Sequence, residues 1–134
     1  MPDGTGLRIA TLAHGHPAIS AGGAEVAALA LHAEFGTRPE LATLHLSCVS
    51  MGAAWSGASG ENEAFVPTAG LDNLQLLRRD PGEHAGLIAK LRHFAPDIVH
   101  FHHILGFGAD ALFAVRRALP DATIVMTLHE FLSI

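Results

Sequence analysis

Pro96-Asp97-Ile98-Val99-His100-Phe101-His102-His103 reads as a buried parallel strand that ends in a cluster of imidazoles. Further along, Ala122-Thr123-Ile124-Val125-Met126-Thr127-Leu128-His129-Glu130 repeats the pattern, an apolar run followed by polar residues. In an open parallel sheet, ligands bind outside the carboxyl ends of the strands. Two strands that each deliver histidine there point to a site. His100 and His102 stand two apart, so both side chains are expected on one face, with His103 on the other face or in the loop.

The segments around these strands have helical character. Asp80-Pro81-Gly82-Glu83 is a helix start, with Asp80 as N-cap, Pro81 at the first helical position and Glu83 completing a capping-box-like pattern. Leu87, Ile88, Leu91 and Phe94 make its apolar stripe, and Pro96 ends it. After the loop with Gly106 and Gly108, a second helix runs to about residue 119. Arg116 and Arg117 suit its C-terminal dipole and Pro120 stops it.

Nearer the start, residues 7–13 form a first, central strand. A loop marked by Pro17, Gly22 and Gly23 leads into a helix over residues 24–35, where Val26, Leu29, Ala30 and Ala33 share one face and Gly36 is the stop. Residues 41–49 are a second strand, with Leu44, Leu46 and Cys48 on one face and Thr43, His45 and Ser47 on the other. Residues 50–63, rich in Gly, Ala and Ser, read as an exposed loop in which Trp55 either anchors the loop or lies on a binding face, with a short third strand near residues 73–77. The result is one α/β domain over residues 1–134, a Rossmann-like doubly wound parallel sheet of strand order 3-2-1-4-5. The switch point then falls between the first and fourth strands, so the loop after strand one and the histidines after strand four face one crevice.

Bulk properties narrow the functions. The chain has 134 residues, is 49% apolar and 16% charged, and carries a net charge of −5, so a folded globular domain is expected and a basic nucleic-acid footprint is not. Cys48 is the single cysteine, which excludes a disulfide framework. The N-terminus lacks a basic segment followed by an apolar one, and no apolar run reaches the roughly 20 residues of a membrane span, so a cytoplasmic setting is expected.

Ten histidines are an excess, and His14, His16, His100, His102 and His129 fall at or near strand ends. His129 can donate to a substrate hydroxyl or orient one, with Glu130 beside it. Each of these histidines can equally be a strand-end imidazole bonded to a loop. Gly22-Gly23-Ala24-Glu25 opens a helix, where close backbone approach and exposed N–H groups favour an anion. Its spacing departs from G-x-G-x-x-G, and a simple turn with Glu25 complementing the helix dipole is the plainer alternative. His100 and His102 suit a chelating pair, but no H-E-x-x-H or carboxylate triad accompanies them, so no metal site is assigned.

Taken in order, Gly22-Gly23-Ala24-Glu25, the 96–103 stretch and Thr127-Leu128-His129-Glu130-Phe131 resemble the amino-terminal domain of GT-B glycosyltransferases, most closely family 4, the glycosyl transferases group 1 type. The resemblance covers essentially the whole chain. It implies the acceptor-side half of a retaining enzyme that moves a sugar from a nucleotide-sugar donor to a sugar, glycan or lipid acceptor, with no cofactor and no metal for transfer. By that resemblance Gly22, Gly23 and Glu25 approach the donor diphosphate and acceptor, and His129 with Glu130 approaches the transferred sugar. His14, His16, His100 and His102 line the cleft. Glu130 replaces an aspartate often found there. The donor domain with its E-x7-E motif lies outside the sequence, so the chain alone is expected to lack transferase activity. Self-association is expected through the apolar end residues Phe131, Leu132 and Ile134. The competing readings are a metal-dependent hydrolase using the histidine cluster and a non-catalytic nucleotide- or phosphate-binding module.

Overall fold

In a computed structural model of the chain, residues 6–19, 22–50, 62–68, 81–104 and 106–129 are described. They form β1 (Leu7–Ala13), α1 (Gly23–Gly36), β2 (Leu41–Ser50), β3 (Glu63–Thr68), a 3₁₀ turn (Pro81–His84), α2 (Ala85–Phe94), β4 (Ile98–Phe101), α3 (Asp110–Ala118) and β5 (Thr123–Met126). The five strands make one all-parallel sheet in the order β3-β2-β1-β4-β5, the Rossmann-like arrangement expected. Ala10 pairs with Leu44 on one side and Val99 on the other, which makes β1 the central strand and puts the switch point between β1 and β4.

The sheet has two different faces. Ala10, Leu12, Leu46, Cys48, Val66, Val99 and Phe101 pack into one apolar core with Leu87 and Leu91 of α2, Ala111 and Val115 of α3, and Phe107. The opposite face carries Thr11, Thr43, His45 and Ser47, all buried, and is covered over β1 and β2 by α1. Right-handed crossovers account for this split. The chain moves one way from β1 to β2 and the other way from β3 through β4 to β5. α1 therefore lands on the face opposite α2 and α3.

Arg8 clamps the inner edge. Its Nε donates to the Phe94 carbonyl at 2.8 Å and the Ala95 carbonyl at 3.1 Å, its Nη2 also donates to Phe94 O, and the guanidinium lies 4.6 Å from the centre of the Phe94 ring. It thereby satisfies carbonyls left open at the end of α2. Ala95 takes a left-handed conformation (φ 52°, ψ 64°), its N–H bonds the Leu91 carbonyl, and Pro96 forbids another turn. Asp97 Oδ2 accepts from the Arg8 N–H at 2.8 Å and ties the start of β4 to β1.

Three expectations change. The third strand is Glu63–Thr68, paired in parallel with β2, not a segment near 73–77, which lies outside the described residues together with Trp55 and Asp80. Pro67 hid this strand. Proline cannot donate to a ladder, but an edge strand needs donors on one side only, and β3 is an edge. The helix expected from Pro81 opens as a 3₁₀ turn, and its α-helical part begins at Ala85.

The third change concerns α1. It buries Ala24, Glu25, Ala28 and His32, while Val26 is 50% exposed. The face named by Val26, Ala30 and Ala33 is turned outward. An alanine-rich helix that is apolar on most sides has no strong amphipathic direction, so polar partners decide its rotation. Glu25 finds His14 just beyond β1, and His32 meets the His45 ring of β2. Gly36 is the last helical residue, followed by the cap Thr37, whose hydroxyl donates to the Glu34 carbonyl at 2.7 Å.

Candidate functional site: a crevice of imidazoles

The carboxyl ends of β1, β4 and β5 bring together His14, His100, His102, His103 and His129. His102 follows β4 directly, and its backbone N–H donates to the Leu12 carbonyl at 2.9 Å, which seats it beside the end of β1. Strand alternation puts His100 and His102 on one face, as expected, with ring centres 4.2 Å apart. His100 Nε2 is hydrogen-bonded to Thr127 Oγ1 at 2.7 Å, and His102 Nδ1 to His129 Nε2 at 3.2 Å. The His102 and His129 rings stack at 5.5 Å. The segment after β5 thus supplies a partner for both His100 and His102, and His129 presents an exposed imidazole.

His14 leaves β1 and turns toward α1. Its Nε2 lies 3.1 Å from Glu25 Oε1, and its ring meets His103 edge-on at 4.8 Å. Glu25 is buried, and its carboxylate folds back over the turn that precedes its own helix. A Cβ at Gly22 would collide with Glu25 Oε2, and one at Gly15 would come within 3.1 Å of Oε1. The glycines here make room for an internal carboxylate at the amino end of α1, the place where the helix dipole favours an anion. Gly23 differs from Gly22, since a Cβ there meets nothing within 4 Å.

His16 stands apart from this group. Its Nδ1 accepts from the Ala18 N–H at 3.1 Å, so in the neutral ring Nε2 carries the proton and donates to Glu63 Oε2 at 3.0 Å. That pair lies toward β3, with Phe65 and His45 around the ring. His45 is fully buried, hydrogen-bonded through Nε2 to Ser47 Oγ at 3.0 Å, and 5.4 Å from the His32 ring. His45, His32 and Glu63 were not singled out from sequence. The signal was the Thr43-His45-Ser47 alternation, a polar face on a strand whose other face is also buried.

The electrostatics favour neutral rings. Burial, then repulsion from His32, His16 and His102, lowers His45 to about 3. Burial, then His100 and His129, lowers His102 to about 4. Burial, then His129, lowers His100. The described cations are Arg8, Arg38, Lys90, Arg92, Arg116 and Arg117, and none lies in the loops at the carboxyl ends of the strands. Among the described residues no group of three His, Cys, Asp or Glu side chains is arranged to hold a metal ion, so the hydrolase reading finds no ligand set there. Glu130 lies outside the described residues. No described helix is long and apolar enough to cross a membrane. The chain matches no family model, no curated protein and no solved structure.

Proposed function

We propose that the chain is the acceptor-side domain of a retaining glycosyltransferase, which moves a sugar from a nucleotide-sugar donor to a hydroxyl-bearing acceptor. The observation that carries this reading is the chemistry of the crevice: a buried carboxylate and several imidazoles, with no described Arg or Lys beside them. A neutral imidazole offers one donor and one acceptor, and a carboxylate accepts. Such groups match the hydroxyls of a neutral sugar. They do not match a phosphate, which calls for Arg, Lys or open backbone donors. Glu25 already occupies the amino end of α1, which weighs against the alternative of a phosphate-binding module.

In this reading His129 meets a sugar hydroxyl at the mouth of the crevice, backed by His102. His14 and Glu25 form the opposite wall. Most contacts to the donor come from groups outside the described residues, as the resemblance to an acceptor-side half implies.

The test is a titration of the 134-residue chain, followed by amide and imidazole NMR, with neutral methyl hexosides, and with UDP and GDP for contrast. Hexosides at millimolar concentration are expected to shift Gly22, Gly23 and His129, a weak affinity typical of half a cleft. Gly23→Ala supplies the control. The site has room for the methyl group and alanine suits a helix start, so folding stability is expected within about 0.5 kcal/mol of the parent, while the hexoside shifts shrink. Shifts confined to the nucleotides, or unchanged hexoside binding in Gly23→Ala, would sink the reading.

A further inference from the structure

Among the buried polar atoms with no hydrogen-bond partner among the described residues are Thr11 Oγ1, His45 Nδ1 and His102 Nε2, which lie on or directly after neighbouring strands. Buried polar groups in folded proteins are almost always satisfied, by protein or by ordered water. These three are not scattered. Thr11 lies on β1 directly opposite His45 of β2 and His100 of β4. His102 follows two residues after His100, and the alternation of a strand keeps it on the same face. Thr11 and His45 are fully buried, and His102 is 4% exposed.

The committed nitrogens set the direction of the free ones. His45 Nε2 is engaged by Ser47, so Nδ1 is the unpartnered atom. His102 Nδ1 is engaged by His129, so Nε2 is the unpartnered atom. β2 and β4 flank β1 and are about 10 Å apart. The residue between them is threonine, a short side chain with a hydroxyl.

We propose that Thr11 Oγ1, His45 Nδ1 and His102 Nε2 bind an ordered internal water that joins the imidazoles under α1 to the crevice pair His102–His129. A water with about three polar partners matches this set. Burial disfavours positive charge on His45, so the bridge transmits orientation, not charge. Whether the water donates to His102 Nε2 or accepts from it sets which nitrogen of His102 carries the proton, and hence whether His102 Nδ1 donates to His129 or accepts from it. Thr11 and His45 are positioning residues behind the crevice. The inference stands on these three atoms and is independent of whether a sugar is transferred.

The experiment is NMR of the full chain without added ligand. Water-to-imidazole cross-relaxation is read at His45 and His102, with imidazole ¹⁵N shifts to report the tautomers. In the parent, a cross-peak to water and a single tautomer at His102 are expected. Thr11→Val keeps the shape but removes the hydroxyl, and is expected to lose the water cross-peak and mix the His102 tautomers. Thr11→Ser is expected to restore both. A parent protein with no water contact at either ring overturns the proposal, and this measurement decides it even if Thr11→Val fails to fold. A folded Thr11→Val with an unchanged His102 tautomer overturns it equally.

Discussion

Glu25 shows how a single residue can take a place that a sequence pattern assigns to a ligand. Gly22-Gly23 before a helix suggests a seat for an external anion, yet the seat is filled by a carboxylate three residues on, held by His14 at 3.1 Å. The two glycines therefore have different roles, Gly22 making room for Glu25 and Gly23 facing open space. This predicts coupling. Gly22→Ala forces the Glu25 carboxylate away from its seat and is expected to cost about 1–3 kcal/mol, the range for an overpacked site or a broken buried contact. Glu25→Ala alone leaves His14 without its carboxylate and costs a similar amount. With Glu25 already gone the collision is gone too, so the double variant should be more stable than the sum predicts, by at least about 0.5 kcal/mol. Urea unfolding of the four proteins measures this, and strict additivity would show that Glu25 does not sit against Gly22.

Among the elements, α1 is the one whose packing reverses expectation. A helix with a clear apolar stripe, such as α2 with Leu87 and Leu91, declares its buried face from spacing alone. α1 has apolar residues on most sides, so Glu25 and His32 turn inward to the polar face of β1 and β2 while Val26 faces out. Substitutions on the two sides should behave accordingly. Val26→Glu is expected to change stability by no more than about 0.5 kcal/mol, as at an ordinary surface position. Ala28 is fully buried, so Ala28→Leu overpacks the interface with the sheet and is expected to lose about 1–3 kcal/mol. A calorimetric or urea comparison settles the rotation of α1: a costly Val26→Glu beside a harmless Ala28→Leu would mean the opposite face is buried. β3 makes a related point. A strand with proline in it is legible only once it is known to be an edge.

Across the sheet of the whole molecule, burial disfavours the charged form of His45, His100 and His102, and that shapes its acid stability. His45 is lowered to about 3, His102 to about 4, and His100 is lowered as well, while the unfolded chain titrates near 6.5. Between those values the unfolded state binds more protons, so stability rises with pH through that window. The stabilisation is fully present above about pH 6.5 and is lost as pH falls toward 4 and 3. Each such group contributes a slope of up to about 1.4 kcal/mol per pH unit. Unfolding free energy measured against pH should therefore be level near neutrality and fall on the acid side, with a shallower fall in His45→Phe. An acid limb unchanged by that substitution would assign the loss to other groups.

The strand order was readable from the chain because apolar strands, amphipathic helices and right-handed crossovers admit few arrangements. The pairing of His100 and His102 on one face was readable too, since strand alternation is local. The meeting of His102 with His129, and of His14 with Glu25, depended on distances between elements that no local pattern contains. The rotation of α1 was decided the same way, by His14 beyond β1 and His45 on β2 and not by its own composition. Local patterns in the chain thus specify its layers and the order of its strands. Which imidazoles gather at the carboxyl ends of the strands, which lie under α1, and that the amino end of α1 is occupied by a carboxylate of the chain are settled by packing, because those outcomes rest on contacts between residues of different elements.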